Sequence, residues 1–178
     1  MTLKTCWYET DSRFIPGHYQ PAALIDLALS RDIDSHRLLR GTGLFHDDIL
    51  AGQSRISPQQ FLGLIDNSRR LLDASDSSFL FGQRLLPGHY GPASHALRHA
   101  QNLHQALQTL IDQQALLSPL AAPRLLVDEH YAYVHWLDSC GADEQWRFVL
   151  EASMTSMVAM SAWLSGERLP WQCSFRHS

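Results

Sequence analysis

The sequence lacks the basic character of a protein that binds nucleic acid by itself. Its 178 residues carry 14 lysines and arginines against 18 acidic residues, a net charge of −4 at pH 7. A free-standing DNA-binding domain presents a basic face, because phosphate contacts supply most of its affinity. The nearest approaches to a basic run are Arg69-Arg70 and the more widely spaced Arg31, Arg37 and Arg40. Direct DNA binding by this chain is therefore not expected.

Cysteines are few, and signals for secretion or membrane insertion are missing. Cys6, Cys140 and Cys173 match no CxxC spacing of a metal or redox centre. The N-terminus lacks the apolar run of a signal peptide, and no run of about 18 consecutive apolar residues occurs. We therefore expect reduced thiols in a cytoplasmic protein that has no contact with a membrane.

Local signatures of catalysis are missing too, since the sequence has no GxSxG, P-loop or GxGxxG motif. His95 and His99 would share one face of a predicted helix, with His89 or His104 as further candidates. A metal site needs three or four convergent ligands, and HExxH is absent. We therefore predict a polar helix surface, no metal, no cofactor and no enzymatic activity. An enzyme whose catalytic residues meet only in the fold is the alternative.

Helical patterns fill much of the first two thirds of the chain. PAALIDLALSRD predicts a short helix that starts near Pro21. DSHRLLRGTGLFHDDIL predicts two brief helices around a Gly41–Gly43 turn. Ser57-Pro58-Gln59-Gln60 has the pattern of a capping box at the start of a longer helix.

Further helices are predicted over FLFGQRL and SHALRHA, and another begins at Asn102. Gln105 stands at the third position after Asn102 and predicts a second, box-like cap. Residues 1–20 are aromatic and irregular, and predict an arm or an extra strand.

The pattern changes after Pro119 and Pro123. RLLVDEHYAYVHWLD predicts two strands joined by a tight turn at residues 128–130. In the second strand, Ala132, Val134 and Trp136 alternate with Tyr131, Tyr133 and His135, so one face is apolar and the other aromatic and polar. The second face would be a ligand surface, a dimer contact or a solvated sheet face.

A long helix is predicted over residues 142–166. Asp143 and Glu144 would lie in its first turn and Gly166 at its C-terminal cap. Its methionines, Met154, Met157 and Met160, are either ordinary core or the lining of an adaptable pocket. WQCSFRH predicts a third strand. The order of elements predicts an α+β fold in which a helical layer packs on a small antiparallel sheet, with strands mainly in the C-terminal third.

Several short motifs, taken in order, resemble one known family. They are Leu38-Leu39 with Gly43-Leu44, Arg55-Ile56-Ser57-Pro58-Gln59-Gln60, Phe81-Gly82-Gln83-Arg84-Leu85, Tyr90-Gly91, Leu103 with Ala106-Leu107, and the hairpin after Pro123. Over roughly residues 20–178 the chain resembles the N-terminal arabinose-binding-like domain of AraC-type bacterial transcription regulators. Ala93-Ser94-His95 departs from the pattern, since many relatives are expected to have a second glycine there.

The resemblance implies that residues 1–178 form a single effector-sensing domain. A small-molecule effector would control DNA binding by a separate domain of two helix-turn-helix units, expected beyond Ser178. It also implies self-association, expected as a homodimer. A dimerisation or interaction module without a small-molecule ligand is the alternative.

In such a sensor we predict that the ligand lies between the helical layer and the sheet. The residues predicted to lie in or near the pocket are Arg84, Tyr90, Tyr133, His135, Trp136 and Trp146. Arg84 would bind a carboxylate or phosphate, and the two tryptophans would supply an apolar wall. For each tryptophan taken singly, packing in the core is the alternative.

Overall fold

Nine helices and two antiparallel strand pairs make up the part of the chain that the computed structural model describes, residues 9–86 and 88–175. In chain order the elements are β1 (Ile15–Pro16), α1 (Gln20–Leu29), α2 (Ser35–Leu39), α3 (His46–Leu50), β2 (Arg55–Ile56), α4 (Pro58–Leu72), α5 (Ser77–Arg84), α6 (Ala93–Arg98), α7 (Leu103–Asp112), α8 (Gln114–Leu117), β3 (Ala121–Val127), β4 (Ala132–Asp138) and α9 (Trp146–Ser165). One turn of 3-10 helix, Asp143–Gln145, precedes α9 and holds the acidic residues predicted for its first turn.

Local capping residues start and stop the helices largely as predicted. The capping box at α4 is confirmed: Ser57 Oγ accepts from the Gln60 N–H, and the Gln60 side chain accepts from the Ser57 N–H, each at 3.2 Å. Asn102 caps α7 by accepting from the Gln105 N–H at 2.9 Å. The Gln105 side chain, however, accepts from the Gln101 N–H, so the second box is displaced by one residue.

The predicted hairpin is confirmed, and with it the α+β class. β3 pairs with β4 in an antiparallel register that runs from Ala121 opposite Asp138 to Val127 opposite Ala132. The Asp128 carboxylate accepts from the N–H groups of the next residues of the turn at 2.8 and 2.7 Å. These bonds hold the pKa of that carboxyl below its usual value.

The N-terminal segment supplies an extra strand rather than only an arm. Ile15 and Pro16 pair antiparallel with Ile56 and Arg55, so β1 lies beside β2. Ile15 and Ile56 are both buried at this pairing, which ties the segment to the core. Residues 1–8 of the predicted arm lie outside the described residues.

The prediction of a third strand over residues 171–177 is wrong. Trp171–Phe175 form no strand, and residues 176 and 177 lie outside the described part. The Trp171 indole donates to Ser161 Oγ on α9 at 2.8 Å, and the Phe175 ring meets Phe79 of α5 edge-on at 6.2 Å. The segment therefore packs its aromatic side chains on two helices, which partly buries them without a strand partner.

Helices α5 and α9 pack closely along one seam. The Phe81 and Phe148 rings stack with centroids 5.9 Å apart. Gly82 faces the α9 backbone so closely that a Cβ there would lie 2.5 Å from the Ala152 carbonyl oxygen. Ser78 Oγ donates to the buried Glu151 carboxylate at 2.5 Å.

Helix α9 is the central helix of the fold. Asp143–Ser165 has the length and apolar composition of a membrane span, and half of its most apolar window is buried inside the fold. Its buried residues include the three methionines of the predicted stripe, Met154, Met157 and Met160. Its apolar character is thus accounted for by packing against the other helices and the hairpin.

Candidate ligand-binding site

A small internal space, the inner cavity, lies between the helical layer and the β3–β4 hairpin. Its volume is about 40 Å³. Inward-facing side chains of α1, α4, α5, α7 and α9, together with the hairpin and the segments that flank it, form the wall. The lining residues are Gln20, Phe61, Ile65, Phe81, Leu85, Tyr90, Leu110, Leu117, Ser118, Pro119, Leu120, Ala121, Trp136, Phe148, Val149, Ala152, Ser153, Ser156, Met157 and Met160.

One face of α9 supplies much of this wall. Counted from Val149, the lining residues Ala152, Ser153, Ser156, Met157 and Met160 lie 3, 4, 7, 8 and 11 positions further along α9. Such spacing places all of them on a single helical face. The small Ala and Ser side chains leave space between the larger ones, and the cavity lies beside them.

The inner cavity is apolar and uncharged. Among the described residues that line it, none is an Asp, Glu, Lys, Arg or His. Transfer of an unpaired charge into such surroundings is unfavourable, because no opposite charge or water compensates for it. The wall therefore favours a neutral, largely apolar occupant.

A short polar network marks one end of the inner cavity. The Tyr90 hydroxyl donates to the Leu85 carbonyl at 2.8 Å and contacts Ser156 Oγ. Burial raises the pKa of Tyr90 well above its usual value, so the phenol is neutral at physiological pH. The network supplies neutral hydrogen-bonding groups at one point of an otherwise apolar wall.

A turn before β3 closes another part of the wall. The Gln20 side-chain amide donates to the Leu117 carbonyl at 2.9 Å, which joins the start of α1 to the end of α8. Ser118 Oγ donates to the Ala121 carbonyl at 2.6 Å. Both bonds hold the Ser118-Pro119 segment in place beside the cavity.

A second space, the outer cleft, also borders this segment. It measures about 190 Å³ and shares Ser118 and Pro119 with the inner cavity. Its other walls include Phe14, Gln114 and Cys140. The Ser118-Pro119 segment thus borders both the inner cavity and a larger space.

The structure brings two of the six predicted pocket residues to the inner cavity. Tyr90 and Trp136 are buried and line it. Whether they contact a ligand stays a prediction.

The other four predicted residues lie outside the inner cavity. Arg84 is exposed at the end of α5, where it donates to Ser30 Oγ at 3.0 Å. Tyr133 and His135 lie on the exposed face of β4, opposite to the face that carries Trp136. Trp146 is half-buried at the start of α9 and packs against the edge of the core.

Sequence reasoning missed Ser153 and Ser156 as lining residues. Their signal was present, since both are polar residues in the middle of an apolar helical stripe. All three methionines of α9 are buried in the core, and Met157 and Met160 also line the inner cavity.

The histidine-rich stretch forms no metal centre within the described residues. In residues 9–86 and 88–175, no group of three or more His, Cys, Asp and Glu side chains is placed to hold a metal ion. His95 and His99 are exposed on and just after α6.

Comparison with protein families gives one match, which covers most of the chain. The model of the N-terminal arabinose-binding domain of AraC transcription regulators matches residues 33–178. The chain belongs to this family. None of the curated proteins compared with it matches.

Membership of the arabinose-binding family confirms the resemblance carried by the short motifs. The family is a regulatory, effector-sensing domain of AraC transcription regulators and is not a family of enzymes. All of the residues that line the inner cavity, except Gln20, fall within the matched range. The cavity therefore lies in the part of the chain that carries the family signal.

Proposed function

We propose that this chain senses a small, uncharged and largely apolar effector in the inner cavity. The observation that carries the proposal is the composition of the wall, which is apolar apart from neutral groups such as Tyr90, Ser153 and Ser156. Ligand sites in proteins are usually apolar with a few placed polar groups. Membership of an effector-sensing family supports the same reading.

The inner cavity has to enlarge when the effector binds. Its volume of about 40 Å³ accommodates water, whereas sites for drug-sized ligands measure roughly 300–1,000 Å³. Met157 and Met160 are flexible side chains in its wall, and methionine adapts readily to a new neighbour. Displacement of Ser118-Pro119 would join the cavity to the outer cleft and give the effector a route inward.

Enlargement is also what would make the domain a switch. A ligand shifts an equilibrium only by binding one arrangement better than another. The inner cavity lies between α9 and Trp136 of the hairpin, so an effector that widens it moves the hairpin relative to the helices. We propose that this movement is passed to a DNA-binding domain elsewhere in the regulator and to a homodimer contact.

The test is thermal unfolding of this 178-residue chain with a panel of neutral apolar compounds and of charged metabolites of similar size. A ligand present at 100 times its Kd stabilises the native state by about 2.7 kcal/mol. We expect saturable stabilisation by members of the neutral set only. Ser153→Leu should abolish it by filling the cavity, while Ser165→Leu, the same change at an exposed position of α9, should not. Stabilisation by charged compounds alone would contradict the proposal.

An interaction module without a ligand is the second candidate, and the exposed hairpin face favours it. Leu126, Tyr131, Tyr133 and Leu137 are all about half or more exposed on or beside the strands. Apolar and aromatic surface of this kind is typical of protein interfaces. Sedimentation equilibrium of the wild type and of Leu126→Asp separates the two candidates. An interaction module is favoured if the wild type is a dimer that the substitution dissociates and no compound of the panel changes the melting temperature.

A further inference from the structure

A second concave site lies on the surface between α2 and α4, away from the inner cavity. We call it the arginine cleft; it measures about 480 Å³ and is lined by Arg37, Arg40, Asn67, Arg70 and Leu71. It shares no lining residue with the inner cavity. Arg37 and Arg40 belong to the widely spaced arginines of the sequence, and Arg70 belongs to the Arg69-Arg70 pair. The fold brings them together at one cleft.

Asn67 fixes the geometry of the arginine cleft. It is 8% exposed, and its side-chain amide donates to the carbonyls of Leu38 at 2.8 Å and Arg40 at 2.9 Å. These two bonds tie the C-terminal end of α2 to α4. They hold Arg37 and Arg40 beside Arg70, which follows Asn67 by one helical turn.

The arginine cleft carries uncompensated positive charge. Arg70 pairs with Asp66 at 3.1 Å and donates to Asn67 Oδ1 at 2.5 Å. Arg37 and Arg40 are exposed and form no ion pair within the described part of the chain. Arg37 and Arg40 line one cleft and carry like charges, which repel one another.

We propose that the arginine cleft binds a small oxyanion, the phosphate or carboxylate group of a metabolite. Guanidinium groups present forked donors that match both anions in a bidentate manner. A bound anion would also relieve the repulsion between Arg37 and Arg40. Nucleic acid is the poorer occupant, because its binding depends on neutralising many phosphates, whereas three arginines line the cleft.

The site is independent of the inner cavity and accepts the opposite chemistry. A regulator with both would respond to a neutral effector and to an anion at separate places. The anion site does not depend on the proposed effector, since no lining residue is common to the two sites. Either proposal can fail without affecting the other.

The experiment is calorimetric titration of the 178-residue chain with inorganic phosphate and with citrate, against sodium chloride at equal ionic strength. The Arg37→Gln/Arg40→Gln double variant is compared with Arg31→Gln/Arg168→Gln, which removes the same charge from exposed arginines outside the cleft. We expect saturable binding of at least one oxyanion by the wild type and the control. The cleft variant should bind it about tenfold or more weakly, the loss expected for a charge-assisted hydrogen-bonded contact.

The melting temperature shows whether the cleft variant is still folded. In chloride buffer the cleft variant should melt at the same temperature as the wild type or above it, because the substitutions remove repulsion. Equal phosphate and citrate affinity in both double variants would overturn the proposal. So would the absence of saturable binding by the wild type, or tighter binding of a short DNA duplex that the cleft substitutions abolish.

Discussion

The α5–α9 seam and the β3–β4 hairpin face each other across the inner cavity but are built differently. Along the seam, the Phe81 and Phe148 rings stack, and Gly82 lets the two backbones approach. The buried residues of the hairpin lie near its base, at Ala121, Ala122, Pro123 and Trp136, while Leu126 and Tyr133 nearer the turn are exposed. A cavity between a rigid wall and a partly anchored one can change volume at the second wall, where less packing has to be broken.

The first prediction compares a buried and an exposed residue of strand β4. Trp136→Ala should lower the free energy of unfolding by about 3–4 kcal/mol, because it removes a large buried side chain and enlarges a cavity. Tyr133→Ala, on the exposed face of the same strand, should cost less than about 1 kcal/mol. Urea unfolding of the two variants measures the difference, and equal costs would show that the base of the hairpin is no better anchored than the turn end.

The seam is tested at its closest approach. Gly82→Ala should cost about 2–3 kcal/mol, because the added Cβ overpacks a filled interface, lying 2.5 Å from the Ala152 carbonyl oxygen and 2.8 Å from Thr155 Cβ. Gly63→Ala is the matched control within a helix, since its Cβ would meet only Thr42 Cγ2 at 3.6 Å. That change should be neutral or stabilise by up to about 1 kcal/mol. Similar unfolding curves for both variants would contradict a tight seam.

The polar end of the cavity gives a pH-dependent prediction. Because burial raises the pKa of Tyr90, the unfolded chain loses this proton first, from about pH 10 upward. The stabilising contribution of the neutral phenol is therefore complete below pH 10 and is lost as pH rises toward the folded-state pKa. Cys140 acts in the same direction, since burial raises its pKa from 9.0 to about 12.

Tyr90→Phe should accordingly cost about 1 kcal/mol at pH 7, the net value of a buried hydrogen bond. It should also show a shallower loss of stability between about pH 10 and 11.5 than the wild type, with the Cys140 contribution remaining. Tyr131→Phe, at an exposed ring, is the control and should leave the unfolding free energy at pH 7 unchanged. Identical alkaline slopes for wild type and Tyr90→Phe would show that the phenol is not buried.

The last prediction concerns α4, whose Phe61 and Ile65 line the inner cavity. Ser57→Ala removes one half of the α4 capping box and should cost about 1 kcal/mol. Ser75→Ala, at an exposed loop position, should have almost no effect. Thermal unfolding followed by circular dichroism measures both variants. A cost equal to that of Gly82→Ala would show that Ser57 stabilises the fold by more than its capping hydrogen bond.

The candidate site could be predicted only where strand alternation or helical spacing governs it. Strand alternation predicts that Trp136 faces inward, and Trp136 is buried. The same alternation puts Tyr133 and His135 on the opposite face, so these three side chains cannot line one cavity. No local pattern links Tyr90 to Ser156, its hydrogen-bond partner 66 residues further along the chain.

The amino-acid sequence by itself determined the elements whose signals are local: the α4 capping box, the Asn102 cap, the turn after β3 and the apolar face of α9. Each depends on residues within a few positions of one another, and side-chain-to-backbone bonds at that range form in whatever fold surrounds them. Only the tertiary structure decided where faces meet, including the inner cavity, the juxtaposition of Arg37 and Arg40 with Arg70, and the packing of Trp171 on α9 in place of a third strand. Such contacts join distant segments, and their positions follow from how whole helices and the hairpin pack together.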